Sequence, residues 1–210
     1  MEKSVEQQLN EAAFDGNETE VRKILKENPS TNVNWKDSGL AALHLASFSG
    51  HDKVVELLLA HPDIDVNQKD ESSETPFYSA CAHGKIACVQ LLLKDTRVLV
   101  NEPRRSGQTP LTGPAHYGYI ELIKAWIASG REMNLGKPGN KYTDAIGFAR
   151  RSGKTDVVTL LEKFKANPEQ TRAEVRGGDV KMEDMGGPSN TGVRKSARIA
   201  TQARKGQDEK

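Results

Sequence analysis

The chain has 210 residues, 30 basic against 29 acidic side chains, and a hydrophobic content of 36%. A net charge of +1 excludes a uniformly basic nucleic-acid binder and a uniformly acidic tail protein. Two cysteines, Cys81 and Cys88, exclude a disulfide framework and a four-cysteine zinc site.

The elements repeat along the chain. Gly16, Gly50, Gly84, Gly118 and Gly153 stand 34, 34, 34 and 35 residues apart, each between an Ala-rich stretch and an amphipathic run. In chain order, unit one (about 4–36) pairs LNEAAFD with TEVRKIL, and unit two (37–69) pairs ALHLASFS with KVVELLL. Unit three (70–103) pairs PFYSACAH with IACVQLLL, and unit four (104–137) pairs PLTGPAHY with IELIKAWI. Unit five (138–166) pairs AIGFARRS with DVVTLL. Val33-Asn34, Val66-Asn67, Val100-Asn101 and Met133-Asn134 close the first four. Each unit is expected to be helix, left-handed glycine turn, helix. Thr75-Pro76 and Thr109-Pro110 place an N-cap acceptor before a proline at the first helical position. A unit of this size cannot bury its apolar face alone, so the units must stack.

Three segments carry a family resemblance: Ala41-Ala42-Leu43-His44-Leu45-Ala46, Thr75-Pro76-Phe77-Tyr78-Ser79-Ala80 and Thr109-Pro110-Leu111. With the period and the Val-Asn closures, they make residues 4–166 resemble the ankyrin repeat family. The resemblance implies an all-α solenoid of five helix-turn-helix units with short β-hairpin fingers, whose first helices and fingers line a concave groove. It also implies that His44 and His51 are structural. Units one and five are expected to be caps, because a solenoid end needs a wetted face. In unit four, Gly113-Pro114 interrupts the first helix, predicting a kinked or partly unwound segment and a higher melting temperature for Pro114→Ala. Residues 167–210, which contain no Leu, Phe, Trp or Tyr after Asn167, are expected to be a disordered, basic-ended tail. Arg194, Lys195, Arg198, Arg204 and Lys205 give that tail an alternative role as a nuclear-import or nucleic-acid contact.

No catalytic constellation emerges from the residues. Ser152-Gly153-Lys154-Thr155 looks like the end of a phosphate loop, but Phe148 stands where that loop needs glycine. Cys81 and Cys88 fall on packed helical positions, and Trp126 on a core position. The expectation is a non-enzymatic scaffold or regulator, without cofactor or metal, that binds another protein. It is expected to be a monomer, to have no membrane segment, and to be cytoplasmic or nuclear. The resemblance turns the residues before each turn glycine toward the groove, giving Phe14, Phe48, His83, His116, Tyr117 and Arg151 as partner contacts. From the fingers, Trp35, Arg104, Arg105, Lys137 and Lys141 join them. Residues 1–103 hold 10 basic and 17 acidic side chains, against 20 and 12 in 104–210, so a polarised groove is expected to orient an elongated partner.

Overall fold

The spacing of the turn glycines becomes the spacing of helix pairs. The computed structural model describes residues 2–180, and within them the chain forms α1 (Val5–Asp15), α2 (Glu18–Glu27), α3 (Ala42–Ser49), α4 (Asp52–Leu59), α5 (Pro76–Ala82) and α6 (Ile86–Lys94). These are followed by α7 (Thr112–Tyr117), α8 (Ile120–Ser129), α9 (Ala145–Arg151), α10 (Thr155–Ala166) and α11 (Pro168–Val180). The odd-numbered helices α1 to α9 pack side by side as one layer, and α2, α4, α6 and α8 form the second. Ala13, Ala46, Ala80, Ala115 and Ala149, one per unit, are fully buried in the first layer, where small side chains let the helices approach. Val54, Cys88 and Leu122 share one place in the second layer, as do Leu58, Leu92 and Trp126, and all six are fully buried. Each such Val or Leu contributes ~1.5–3 kcal/mol on leaving water. Trp126 meets Phe77 edge to face at 5.0 Å, joining the second layer of unit four to the first layer of unit three. Burial pushes the Cys88 thiol up to about 11 and raises Cys81 well above the usual thiol value, as expected of core cysteines.

Two ladders stitch the units together. After each turn glycine stands a residue that lies across the glycine of the preceding unit: His51 on Gly16, Lys85 on Gly50, Tyr119 on Gly84 and Lys154 on Gly118. A Cβ added at Gly84 would come within 2.7 Å of Tyr119, on a backbone whose φ of +65° already disfavours a side chain. Gly153 closes the series and has nothing across it within 4 Å. The second ladder is made by the closure asparagines. Asn34 donates to Asp63 O at 2.7 Å and accepts from the Asp65 N–H at 2.8 Å. Asn67 donates to Arg97 O at 2.8 Å and accepts from Leu99 N–H at 2.7 Å. Asn101 repeats the clamp on Glu132 O at 3.4 Å and Asn134 N–H at 3.0 Å.

Three expectations need correction. The fingers are tight turns, since no named strand occurs among the described residues and only Asp37 and Leu40 form a bridge. Their arms are too short and too rich in Gly, Ser and charge to propagate a ladder. Unit four unwinds by starting late: α7 begins at Thr112, three residues after Thr109, whereas α5 begins directly after Thr75. Thr75 Oγ1 accepts the Tyr78 N–H at 3.1 Å, but Thr109 Oγ1 is buried with no partner because the Thr112 N–H turns to Thr109 O at 3.1 Å. Pro114 thus sits third in α7, among N–H positions that have no partner inside a helix, and an interior-proline penalty does not apply. Finally, the stretch expected to be disordered from residue 167 begins with α11. Thr171 is buried, Arg172 lies 5.5 Å over the Phe164 ring, and Arg176 donates to Ala128 O at 2.7 Å. The basic cluster from Arg194 to Lys205 lies outside the described residues.

Candidate partner-binding groove

The first helices end in residues with no partner layer outside them, so their last turns face an open groove of about 720 Å³. Five of the eleven expected contacts line it: Phe48, His83, Arg104, His116 and Tyr117. Phe48 is 45% exposed and Tyr117 57% exposed, an unusual presentation for such large apolar rings. Phe48 and His83 pack at 4.3 Å between centroids, and His116 meets Tyr117 at 4.8 Å and Phe148 at 6.3 Å. Tyr117 stacks on Tyr119 at 5.6 Å. The rings therefore form two packed clusters along one groove, Phe48 with His83 and Tyr117 with His116, Tyr119 and Phe148, rather than isolated side chains. Backbone and hydroxyl partners hold them: His83 Nδ1 donates to Ser79 O at 2.9 Å, and His116 Nδ1 lies 2.7 Å from Ser152 Oγ.

Tyr78, Tyr119, Phe148 and Glu74 also line the groove and are absent from the sequence-derived set. A signal for two of them exists in the repeat register. Tyr119 follows its turn glycine as Lys85 does, and Tyr78 holds the place of His44 one unit earlier. Tyr78 is buried, which pushes its phenol up to about 12 and keeps it neutral. Arg104 lies 5.8 Å above its ring.

Arg104 is a hub more than a free cation. Its guanidinium donates to Glu74 Oε1 at 2.9 Å, its Nε to Ser106 Oγ at 2.9 Å, and a further nitrogen to Gln108 Oε1. Lys69 and Glu102 form a second cross-unit pair at 2.8 Å. Opposite charges are thus partly satisfied between units two and three and between units three and four, and on the groove floor the Arg104–Glu74 pair weakens the contrast seen along the sequence. Arg105 is exposed at the finger tip and is the cleaner probe of electrostatic steering.

The remaining expected contacts stand apart. Phe14, 50% exposed, belongs to a separate hollow of about 420 Å³ beside Lys3, Gln7 and Glu11. Trp35 is half-buried and lines neither hollow. Lys137 and Lys141 are exposed on the loop before α9, where Lys141 sits 4.7 Å over Tyr142. Arg151 is exposed and lies 4.8 Å over Phe148, at the edge of the groove. The histidines read as structural have structural partners: His44 Nε2 donates to Glu74 O at 3.2 Å, and His51 Nε2 lies 2.9 Å from Phe14 O. Among the described residues, no group of three or more His, Cys, Asp or Glu could hold a metal ion, and no helix is long and apolar enough to cross a membrane.

The family comparison falls on units two and three, which supply Phe48 and His83 to the groove. Residues 43–93 match the family model described as ankyrin repeats (many copies). A stretch of 52 residues is 44% identical to human Rabankyrin-5, covering 24% of this chain and 4% of that protein. A stretch of 47 residues is 47% identical to Protein phosphatase 1 regulatory subunit 27 of human and of mouse, covering 22% of this chain and 30% of each relative. The matched regions thus span less than a third of any of these relatives. Residues 43–93 thus match ankyrin repeats in sequence, and the two helical layers and the shared period extend through the units on either side.

Proposed function

We propose that this chain is a scaffold or regulator that captures an extended segment of a partner protein along the aromatic clusters of its concave groove. Ankyrin repeats are protein–protein interaction modules and are typically non-enzymatic. The observation that carries the reading is the set of rings along one groove: Phe48, His83, His116 and Tyr117 are exposed, packed as two pairs, Phe48 with His83 and His116 with Tyr117, and drawn from three successive units. Aromatic side chains with two rotatable torsions present large contact area at small entropic cost, and such residues dominate interface energies. The short likeness to a protein named as a phosphatase regulatory subunit supports a role exerted through binding.

The test is capture with the purified chain, identification of the bound protein, and affinity measurement with purified components. Phe48→Ala/His83→Ala/Tyr117→Ala is expected to weaken binding by ~100-fold or more, at about 1–2 kcal/mol per lost anchor, while its unfolding midpoint stays near wild type. A partner held equally well by the triple variant would place the binding surface elsewhere.

A further inference from the structure

Three finger tips carry a serine at the same place in the repeat. Ser38, Ser72 and Ser106 stand 34 residues apart and all are exposed. Their surroundings have opposite charge. Ser38 follows Asp37, and Ser72 follows Glu71 with its N–H donated to Asp70 Oδ1 at 2.8 Å. A phosphate at either would meet carboxylates. Ser106 instead follows Arg104 and Arg105, and Arg104 Nε already donates to its Oγ at 2.9 Å. The turn that presents it is closed by Arg104 N–H to Gln108 O at 3.0 Å and Gly107 N–H to Arg104 O at 2.8 Å. Ser106 Oγ also donates to Gln108 Oε1 at 3.3 Å, so its exposed hydroxyl is held by side chains at the surface of the turn.

We propose that Ser106 is a phosphorylation site for a serine kinase that reads arginines on the N-terminal side of its target, and that the phosphate switches the charge of the groove. Ser106 Oγ attacks the γ-phosphorus of ATP; the Oγ–P bond forms as the P–O bond to ADP breaks, and the hydroxyl proton passes to the kinase's carboxylate base. Arg105, exposed and, among the described residues, held through its backbone N–H to Ser72 O at 2.8 Å, is available to the kinase. Once attached, the phosphate brings about two negative charges and three acceptor oxygens beside Arg104. Guanidinium binds phosphate in a bidentate fork, so the new group competes directly with Glu74 for Arg104. A carboxylate neutralised in the unmodified chain is thereby released onto the groove floor beside Tyr78. The modification chemistry stands on the finger alone; only its consequence for a partner rests on the proposed role of the groove.

The experiment treats the full chain with the catalytic subunit of cyclic-AMP-dependent protein kinase and ATP, and maps phosphate by mass spectrometry. Phosphate is expected at Ser106 and absent from Ser38 and Ser72, with the rate at Ser106 falling about 10-fold or more in Arg105→Gln. In a phosphorus-31 titration, the phosphoserine second ionisation should lie below its free value of ~6 and return toward it in Arg104→Gln. No phosphate at Ser106, or a titration indifferent to Arg104→Gln, overturns the proposal. Neither readout involves a partner, so failure of the groove reading would leave both unchanged.

Discussion

His44 shows how one side chain joins neighbouring units, and how its protonation state is fixed. Its Nε2 donates to Glu74 O at 3.2 Å, leaving Nδ1 unprotonated to face the Ala41 N–H at 3.5 Å. The ring is 1% exposed, and desolvation holds its pKa below the ordinary 6.5 despite the Glu74 carbonyl, which pulls the other way. A proton added at Nδ1 would confront the Ala41 donor with a second donor. Because the folded pKa is depressed, the unfolded chain binds the proton more readily, so stability is full above pH 6.5 and is lost as pH falls below it. The slope from this one site cannot exceed about 1.4 kcal/mol per pH unit. Urea unfolding at pH 7.5 and 5.0 should therefore show a larger loss for wild type than for His44→Asn. Working above pH 5 keeps the carboxylates Glu6 and Asp95, whose pKa values are lowered, out of the measured window. Equal losses in the two proteins would remove His44 from the pH response.

At the scale of the element, unit four is the informative one. Gly113 lies where α7 comes closest to α5: a Cβ there would stand 2.9 Å from the Ala82 Cα. Alanine favours a helix over glycine by up to ~1 kcal/mol, but forcing two backbones apart in a packed layer costs about 1–3 kcal/mol. Gly113→Ala is thus expected to lower the melting temperature. Pro114→Ala is also expected to lower it, through a loss of about 0.4–1 kcal/mol of stability. No helical bond is regained at this first-turn position, and the unfolded chain gains freedom. This reverses the sign expected from sequence, and a thermal melt showing Pro114→Ala more stable would restore the original reading. The reversal marks a limit of legibility. Gly50, Gly84 and Gly118 announced the units because a left-handed turn leaves a signature in one residue. The need for glycine at Gly113 comes instead from a neighbour, Ala82, in another unit, which no local pattern encodes. The same holds for α11, whose Val175 and Arg176 acquire a helical role only from the preceding units. In the groove, the two residues before each turn glycine were readable from register, as Phe48 and Tyr117 show. Phe148 was not, since it reaches the groove from inside its helix, and Tyr78 was readable only through its register with His44.

For the whole molecule, stability is a property of the joints between units. In a linear stack each unit touches only its neighbours, so the array behaves as a chain of coupled elements whose cooperativity is set by its weakest interface. The closure asparagines allow two interfaces to be compared with one chemistry. Asn67 joins units two and three through bonds of 2.8 and 2.7 Å, whereas Asn101 joins units three and four through 3.4 and 3.0 Å. The longer bond is near the limit at which a hydrogen bond retains its strength. Each well-formed bond contributes about 0.5–1.5 kcal/mol net, so Asn67→Ala is expected to cost ~1–3 kcal/mol and Asn101→Ala no more than half of that. Both side chains are only half-buried, and water can replace part of what is lost. Breaking the tighter joint should also uncouple units one and two from the rest. Urea unfolding of Asn67→Ala is then expected to show a broader transition with a smaller apparent m-value, while Asn101→Ala keeps the wild-type slope. A larger loss in Asn101→Ala than in Asn67→Ala would mean that the interfaces are held mainly by the packed layers around Leu92 and Trp126, with the asparagine ladder secondary.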